Sequence, residues 1–298
     1  MTKKMNVCIV GVGLIGGSLA KDLRKSGFAG HITGVESNEH HARLAVENQL
    51  VDAMKPLDQA VSQADLIILA CPIDAIKQWL PHILDATAGS PKVITDMGST
   101  KAGMGQLVQN HPNRRHYVAA HPMAGTEHSG PGAAIEKLFE NKCAIICDPE
   151  RSSEEALRVI RDMFRALKMR LIYMNAAEHD VSAAYVSHIS HISSFALSLC
   201  VLEKEKNHKR ILSLAGGGFA STVRLAKSEA NTWVPVFEQN AGNVLEVLNT
   251  YIDTLMLFKT HIENNNGEGI RELILEANKI KKVLNSETPN QYGNHHSR

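Results

Sequence analysis

Short apolar runs and amphipathic stretches alternate through the first 170 residues or so of the chain. The runs at 6–10, 31–35, 66–70, 92–95, 117–120, 144–147 and 170–173 are brief, largely apolar and bounded by polar or turn residues, which predicts strands. The stretches near 14–26, 39–48, 73–84, 100–109 and 154–167 carry apolar residues at helical spacing. Strands alternating with helices predict right-handed crossovers and a mostly parallel sheet, an α/β fold, with 144–147 and 170–173 extending it at the far edge. The pattern changes after Asn175. From 176 to 284 no strand is predicted, and apolar positions recur at helical spacing, as in Val244, Leu245, Leu248, Ile252 and Leu255. Gly216-Gly217-Gly218 and Asn264-Asn265-Asn266-Gly267 punctuate these helices.

The first predicted strand runs into Gly11-Val12-Gly13-Leu14-Ile15-Gly16, which opens the first helix. In a dinucleotide site of the Rossmann type the first glycine permits a tight turn. The second lets the backbone approach a pyrophosphate, and the third lets the helix pack on the strand. The second strand ends in Glu36, twenty residues beyond Gly16, where a carboxylate accepts the ribose hydroxyls and repels a 2′-phosphate. NAD is therefore the expected cofactor, in preference to NADP. The cofactor-binding candidates are Gly11, Gly13, Leu14, Ile15, Gly16 and Glu36. Cys71 and Pro72, which follow the strand at 66–70 on the side where open parallel sheets bind ligands, join them. The chain divides on this reading into a dinucleotide-binding domain at 1–174 and an all-helical domain at 175–284. A polar tail at 285–298, with Pro289 and Gly293, is expected to be disordered.

Composition narrows the partners. With 32 Lys and Arg against 31 Asp and Glu the net charge is +1, which argues against nucleic acid or a membrane surface, since both call for a basic excess. No apolar run is expected to reach the roughly 20 residues of a membrane span, and the N-terminus does not read as a signal peptide. Five cysteines without metal-type spacing predict mostly buried, reduced thiols in a cytoplasmic protein.

Further candidates carry chemistry. Asp96-Met97-Gly98-Ser99-Thr100-Lys101 follows a strand at the expected nicotinamide edge, where Ser99 is either a helix N-cap or a substrate hydrogen-bonding group. His121 opens His121-Pro122-Met123-Ala124-Gly125-Thr126-Glu127 just after the strand at 117–120. An imidazole there is matched to taking a proton near neutral pH; the alternative is a histidine that orients its own loop, and position favours the functional reading. Ser187-His188-Ile189-Ser190-His191 lies on a predicted helix, with the two histidines on one side of it. No carboxylate or thiol is spaced to complete a metal site, so a substrate-binding face or satisfied core histidines are preferred to metal. Arg224, between Val223 and Leu225, either snorkels to solvent or faces an anion.

Taken in order, these motifs resemble the prephenate/arogenate dehydrogenase family of tyrosine biosynthesis, over nearly the whole chain from Asn6 to about Leu284. The resemblance rests on 11–18, on Asp-Met-Gly-Ser from Asp96, on the 121–127 run, on Ser-His-Ile-Ser-His from Ser187, and on 216–233 ending in Trp233. It implies His121 as the base that accepts the ring-hydroxyl proton and Ser99 as its hydrogen-bonding neighbour, the catalytic pair. It implies His191, Arg224, Glu127 and Ser187 as substrate-binding, with Arg224 on a carboxylate and Glu127 at the pocket mouth. It also implies no metal, an NAD-binding domain followed by a helical domain that dimerises, and conversion of prephenate to 4-hydroxyphenylpyruvate. Arogenate dehydrogenase, a β-hydroxyacid dehydrogenase or imine reductase, and a non-catalytic NAD-binding regulatory protein are the alternatives. One departure stands out: Ser190 occupies a place where many relatives have proline, so less bending is expected there. No room is expected for a fused mutase or a carboxy-terminal regulatory module.

Overall fold

The computed structural model describes residues 4–207 and 210–286. Eight strands form one sheet in the order β3-β2-β1-β4-β5-β6-β7-β8. They are β1 Met5–Val10, β2 Ala29–Val35, β3 Ala53–Met54, β4 Leu66–Leu69, β5 Val93–Asp96, β6 Tyr117–Pro122, β7 Cys143–Cys147 and β8 Arg170–Met174. All neighbouring pairs are parallel except β6 with β7. The helices of this half are α1 Leu14–Lys25, α2 Glu39–Glu47, α3 Leu57–Gln63, α4 Ile73–Ala86, α5 Ala102–Leu107 and α6 Glu154–Ala166.

Side chains alternate across the sheet, and both faces are covered, which is why a strand such as Leu66–Leu69 is apolar at every position. Val7, Ile9, Leu66 and Ile68 pack with Leu19, Leu23, Ile160 and Phe164 on one face. Cys8, Val10, Ile67 and Leu69 pack with Ile76, Leu80, Ile83 and Met104 on the other. Each such buried side chain contributes roughly 1.5–3 kcal/mol relative to exposure. Register then does the positioning. Val10 pairs with Leu69, Leu69 with Asp96, and Asp96 with Ala119. The segments after β1, β4 and β5 and the last residues of β6 therefore share one edge. The strand order reverses between β1 and β4, the crevice where open α/β sheets bind ligands.

Two elements escape the expectation, the two-residue strand β3 and the seven-residue helix α3, both too short to show periodicity. β6 also runs further than expected, through Pro122, because antiparallel β7 extends the pairing: His121 lies opposite Ile145 and Pro122 opposite Ala144. His121 thus sits on a strand end rather than in a loop.

Past β8 every described element is helical. They are α7 Ala176–Ala183, α8 Ile189–Glu205, α9 Gly217–Thr222, α10 Ala230–Gln239, α11 Ala241–Glu263, α12 Gly267–Ala277 and α13 Ile280–Ser286. Asn175 caps α7, its side chain accepting from Glu178 N at 2.8 Å. A wide π-type turn, Ala184–His188, joins α7 to α8. The whole run Ala176–Glu205 has a stretch of mean hydropathy 1.3, long and apolar enough to cross a membrane by length and composition, which corrects the expectation that no segment approaches that size. By contacts the chain forms two compact units, Met1–Val244 and Leu245–Arg298. The second holds the remainder of α11 with α12 and α13. Helix α13 extends into the expected tail as far as Ser286, and the rest of that tail lies outside the described residues.

Candidate active site

The glycine-rich turn is built by necessity. Gly11 has φ of +91°, and a Cβ there would stand 2.6 Å from the backbone N of Cys71. A Cβ on Gly16 would stand 2.0 Å from the Gly11 carbonyl oxygen, so this glycine lets α1 lie against the turn. Gly13 caps α1 without a side-chain hydrogen bond, and the first turn holds no acidic residue. The first N–H groups of α1 are therefore left for an anion. Glu36 is fixed beside them, accepting from Val12 N at 3.2 Å and Asn38 N at 3.0 Å.

A single cleft of about 1350 Å³ is lined by Gly11, Gly13, Leu14, Ile15, Glu36, Cys71 and Pro72, and also by Ser99, His121, Glu127, Ser187, His191 and Arg224. Of the residues assigned to the cofactor, catalytic and substrate sites, Gly16 alone stays out of this lining, in keeping with its packing place. Among the described residues no cluster of three or more His, Cys, Asp or Glu is arranged to hold a metal ion. Burial pushes the thiol of Cys71 up to about 12, so it is a neutral wall group.

Ser99 is not a helix cap. The N-terminal amides of α5 are capped from another element: Asp180 accepts from Lys101 N at 2.7 Å and from Ala102 N at 2.9 Å. The Lys101 ammonium, fully buried, pairs with Asp96, which also accepts from the Tyr117 hydroxyl at 2.6 Å and from Gly98 N at 2.9 Å. The Gly98–Lys101 segment is thereby pinned on both sides. Ser99 is left facing the cleft, its hydroxyl without a partner among the described residues.

His121 is hydrogen-bonded through Nδ1 to His179 Nε2 at 2.8 Å, and His179 Nδ1 to Asp180 Oδ1 at 2.8 Å. Burial, followed by the neighbouring His179, Lys101 and His188, pushes the His121 pKa well below the ordinary 6.5. It is neutral at pH 7.

The π-type turn separates the two helix histidines. His188 is fully buried, and its Nδ1 lies 3.2 Å from Asn240 Nδ2, which also donates to the Asp180 carbonyl at 2.7 Å. Burial pushes His188 down to about 4. His191 reaches the cleft. It donates from Nδ1 to the Ser187 carbonyl at 3.1 Å and stacks on Trp233, with ring centroids 3.4 Å apart. Arg224 does not simply snorkel: its Nη1 lies 2.7 Å from Glu127 Oε2. The Glu127 amide and the Arg224 guanidinium hold the Glu127 carboxyl below the usual carboxylate range. The loop after β6 is linked a second time to the segment before α10, by Ser129 Oγ to Glu229 Oε1 at 3.3 Å.

Residues 19–173 match the model of the prephenate dehydrogenase nucleotide-binding domain, and residues 175–276 match that of the prephenate dehydrogenase dimerization domain. The chain belongs to the prephenate dehydrogenase family. It is 27% identical to the prephenate dehydrogenase of Bacillus subtilis over 269 residues, 90% of this chain and 72% of the relative. It is 28% identical to the cyclohexadienyl dehydrogenase of Zymomonas mobilis over 292 residues, 96% of this chain and 98% of the relative. The crystal structure of prephenate dehydrogenase from Aquifex aeolicus in complex with hydroxyphenyl propionate and NAD+ superposes with a TM-score of 0.80 at 27% identity. That match covers 95% of this chain and 98% of the other.

Beside the residues that pointed to the prephenate dehydrogenase family stand five to which the sequence assigned no contact. His179, Asp180 and Asn240 do not line the cleft, and His179-Asp180 sits in an ordinary helical first half. Lys101 looks like a surface lysine and is fully buried. Trp233 ended a recognised motif without an assigned contact, and the structure stacks it on His191.

Proposed function

We propose that this member of the prephenate dehydrogenase family carries out the NAD-dependent oxidative decarboxylation of prephenate to 4-hydroxyphenylpyruvate in tyrosine biosynthesis. The observation that carries the reading is one cleft in which a dinucleotide fingerprint, a neutral imidazole and a guanidinium face the same space. The residues fit NAD: uncapped α1 amides for the pyrophosphate and the Glu36 carboxylate for the ribose hydroxyls. NAD, when bound, accepts hydride from the hydroxyl-bearing ring carbon.

The chain's own residues do the rest. His121 takes the hydroxyl proton, and Ser99 hydrogen-bonds the same hydroxyl. Arg224 binds a substrate carboxylate, in place of or beside Glu127 at the pocket mouth. His191, held by Trp233 and the Ser187 carbonyl, orients the substrate from the opposite wall. Loss of carbon dioxide aromatises the ring and drives the reaction, so orientation and one base suffice. Residues 1–174 serve as the nucleotide-binding part, and 175–284 as the substrate and dimerisation part, in a cytoplasmic protein. Side-by-side initial rates with prephenate and arogenate test the substrate: faster turnover of arogenate would move the amino-bearing side chain into first place.

Glu36 sets the cofactor. With NAD the catalytic efficiency is expected to exceed that with NADP by about 10-fold or more, because a 2′-phosphate meets the carboxylate. Equal efficiencies with the two cofactors would remove this role from Glu36.

The assembly is expected to be a homodimer. The long Ala176–Glu205 run exposes Leu199 and Leu202, 68% and 52% exposed, and its most apolar stretch is only 17% buried within the chain. Exposed apolar faces of this kind mark interfaces. The same faces account for its membrane-like hydropathy, because the central helix of an assembled interface has that composition. Light scattering should give twice 32.6 kDa at micromolar protein. A mass near one chain would contradict it.

A further inference from the structure

The hydrogen bonds behind His121 fix where its proton sits. Asp180 Oδ1 and Oδ2 take the backbone N–H groups of Lys101 and Ala102 at 2.7 and 2.9 Å. Each oxygen already accepts an amide hydrogen, so the carboxylate stands in this network as an acceptor. The third group at Asp180, His179 Nδ1 at 2.8 Å, must therefore donate, and carries a hydrogen. A neutral His179 then presents a bare Nε2. The group 2.8 Å from that nitrogen is His121 Nδ1, which must donate in its turn. His121 is left with its lone pair on Nε2, the ring nitrogen without a partner among the described residues, on a side chain that lines the cleft.

We propose that His179 and Asp180 are positioning residues that lock His121 in its Nδ1–H tautomer, so that the base of this site is a three-residue unit built from β6 and α7. The proposal rests on His121 being the base. In the proton transfer the substrate O–H bond breaks and an Nε2–H bond forms on His121. The positive charge so created is stabilised through the Nδ1–H bond to His179, and beyond it by the Asp180 carboxylate. The same carboxylate caps the helix that follows Ser99. One acidic group thus holds both the base and the segment carrying its hydroxyl neighbour. Asn240 completes the support by donating to the Asp180 carbonyl at 2.7 Å. The opposite arrangement, a doubly protonated His179 donating to His121 Nδ1, would place the hydrogen of His121 on Nε2 and leave no base.

Two variants separate orientation from packing. His179→Gln sets an amide oxygen where Nε2 stood and still accepts from His121. His179→Asn sets its amide nearer the Nδ1 position and loses that acceptor. Expected is a fall in kcat of about 10²–10⁴-fold for His179→Asn, the scale at which a mis-set tautomer acts in a hydrolase triad. KM for substrate and NAD should shift by no more than ~3-fold, since His179 is buried and does not line the cleft. His179→Gln should recover most of the loss. The tautomer itself is read without turnover, by nitrogen-15 NMR of histidine-labelled enzyme with the His121 signal assigned by its absence in His121→Asn. Wild type and His179→Gln should show Nδ1–H, and His179→Asn a shift toward Nε2–H. An Nε2–H form of His121 in the wild type would overturn the proposal, as would full turnover by His179→Asn. A confirmed tautomer in an enzyme inert toward prephenate would instead overturn the substrate assignment and leave the positioning role standing.

Discussion

Replacing His121 with Asn is expected to lower kcat by about 10²–10⁴-fold while substrate KM changes little, the magnitude associated with a positioned general base. Asn keeps a polar group at the Nδ1 position, so the contact to His179 survives while the proton acceptor is lost. The pH profile adds a second signature. Burial, with His179, Lys101 and His188 nearby, places the His121 pKa well below 6.5. The base is active when neutral, so the wild-type rate stays level as pH falls through 6.5 and declines only at lower pH. The His121→Asn variant should lack this acid limb. Near-normal turnover with an unchanged limb would show that another group is the base.

Arg224→Ala should act in the reverse sense, raising substrate KM by about 10- to 100-fold. A charge-assisted contact to a carboxylate is worth roughly 1.5–3 kcal/mol, and that contact exists in the bound ground state as well as in the transition state. In the free protein the guanidinium is engaged by Glu127 at 2.7 Å, with Arg224 half exposed and Glu127 16% exposed. A substrate carboxylate must therefore compete for it, and Glu127→Gln should lower KM if that competition dominates. Steady-state kinetics of both variants decide the matter. An Arg224→Ala enzyme with unaltered KM and depressed kcat would place the guanidinium at the reacting centre instead.

The fold was legible wherever an element was long enough to show a period. Strands β1, β2 and β4–β8 and helices α1, α2, α4 and α6 lie within a few residues of expectation, because their apolar runs and helical spacings are bounded by polar or turn residues. β3 and α3 were illegible for the same reason in reverse: two and seven residues do not carry a pattern. The membrane-length apolar run at Ala176–Glu205 was missed because its histidines and serines break the visible stretch, although window-averaged hydropathy remains high.

The cleft was legible through residues that line it and recur in family motifs. Ser99, His121, His191 and Arg224 all belong to that class. What stayed hidden was the support behind them. Asp180 caps α5 across 78 positions of sequence, and Lys101 is buried through an ion pair with Asp96. Such contacts depend on the tertiary meeting of two elements and leave no local spacing to read. Ser99 shows the cost: from sequence it is a reasonable cap, and only the arrival of Asp180 from α7 shows that the cap is supplied elsewhere.

Hydride transfer and loss of the ring carboxylate are expected to occur together on prephenate in one cleft. The most direct test incubates the purified protein with NAD and prephenate labelled in its ring carboxylate, following NADH absorbance and released carbon dioxide together. NADH and labelled carbon dioxide should form in equal amounts, with 4-hydroxyphenylpyruvate as the organic product. NADH without labelled carbon dioxide, or no reaction with prephenate at any accessible pH, would contradict it.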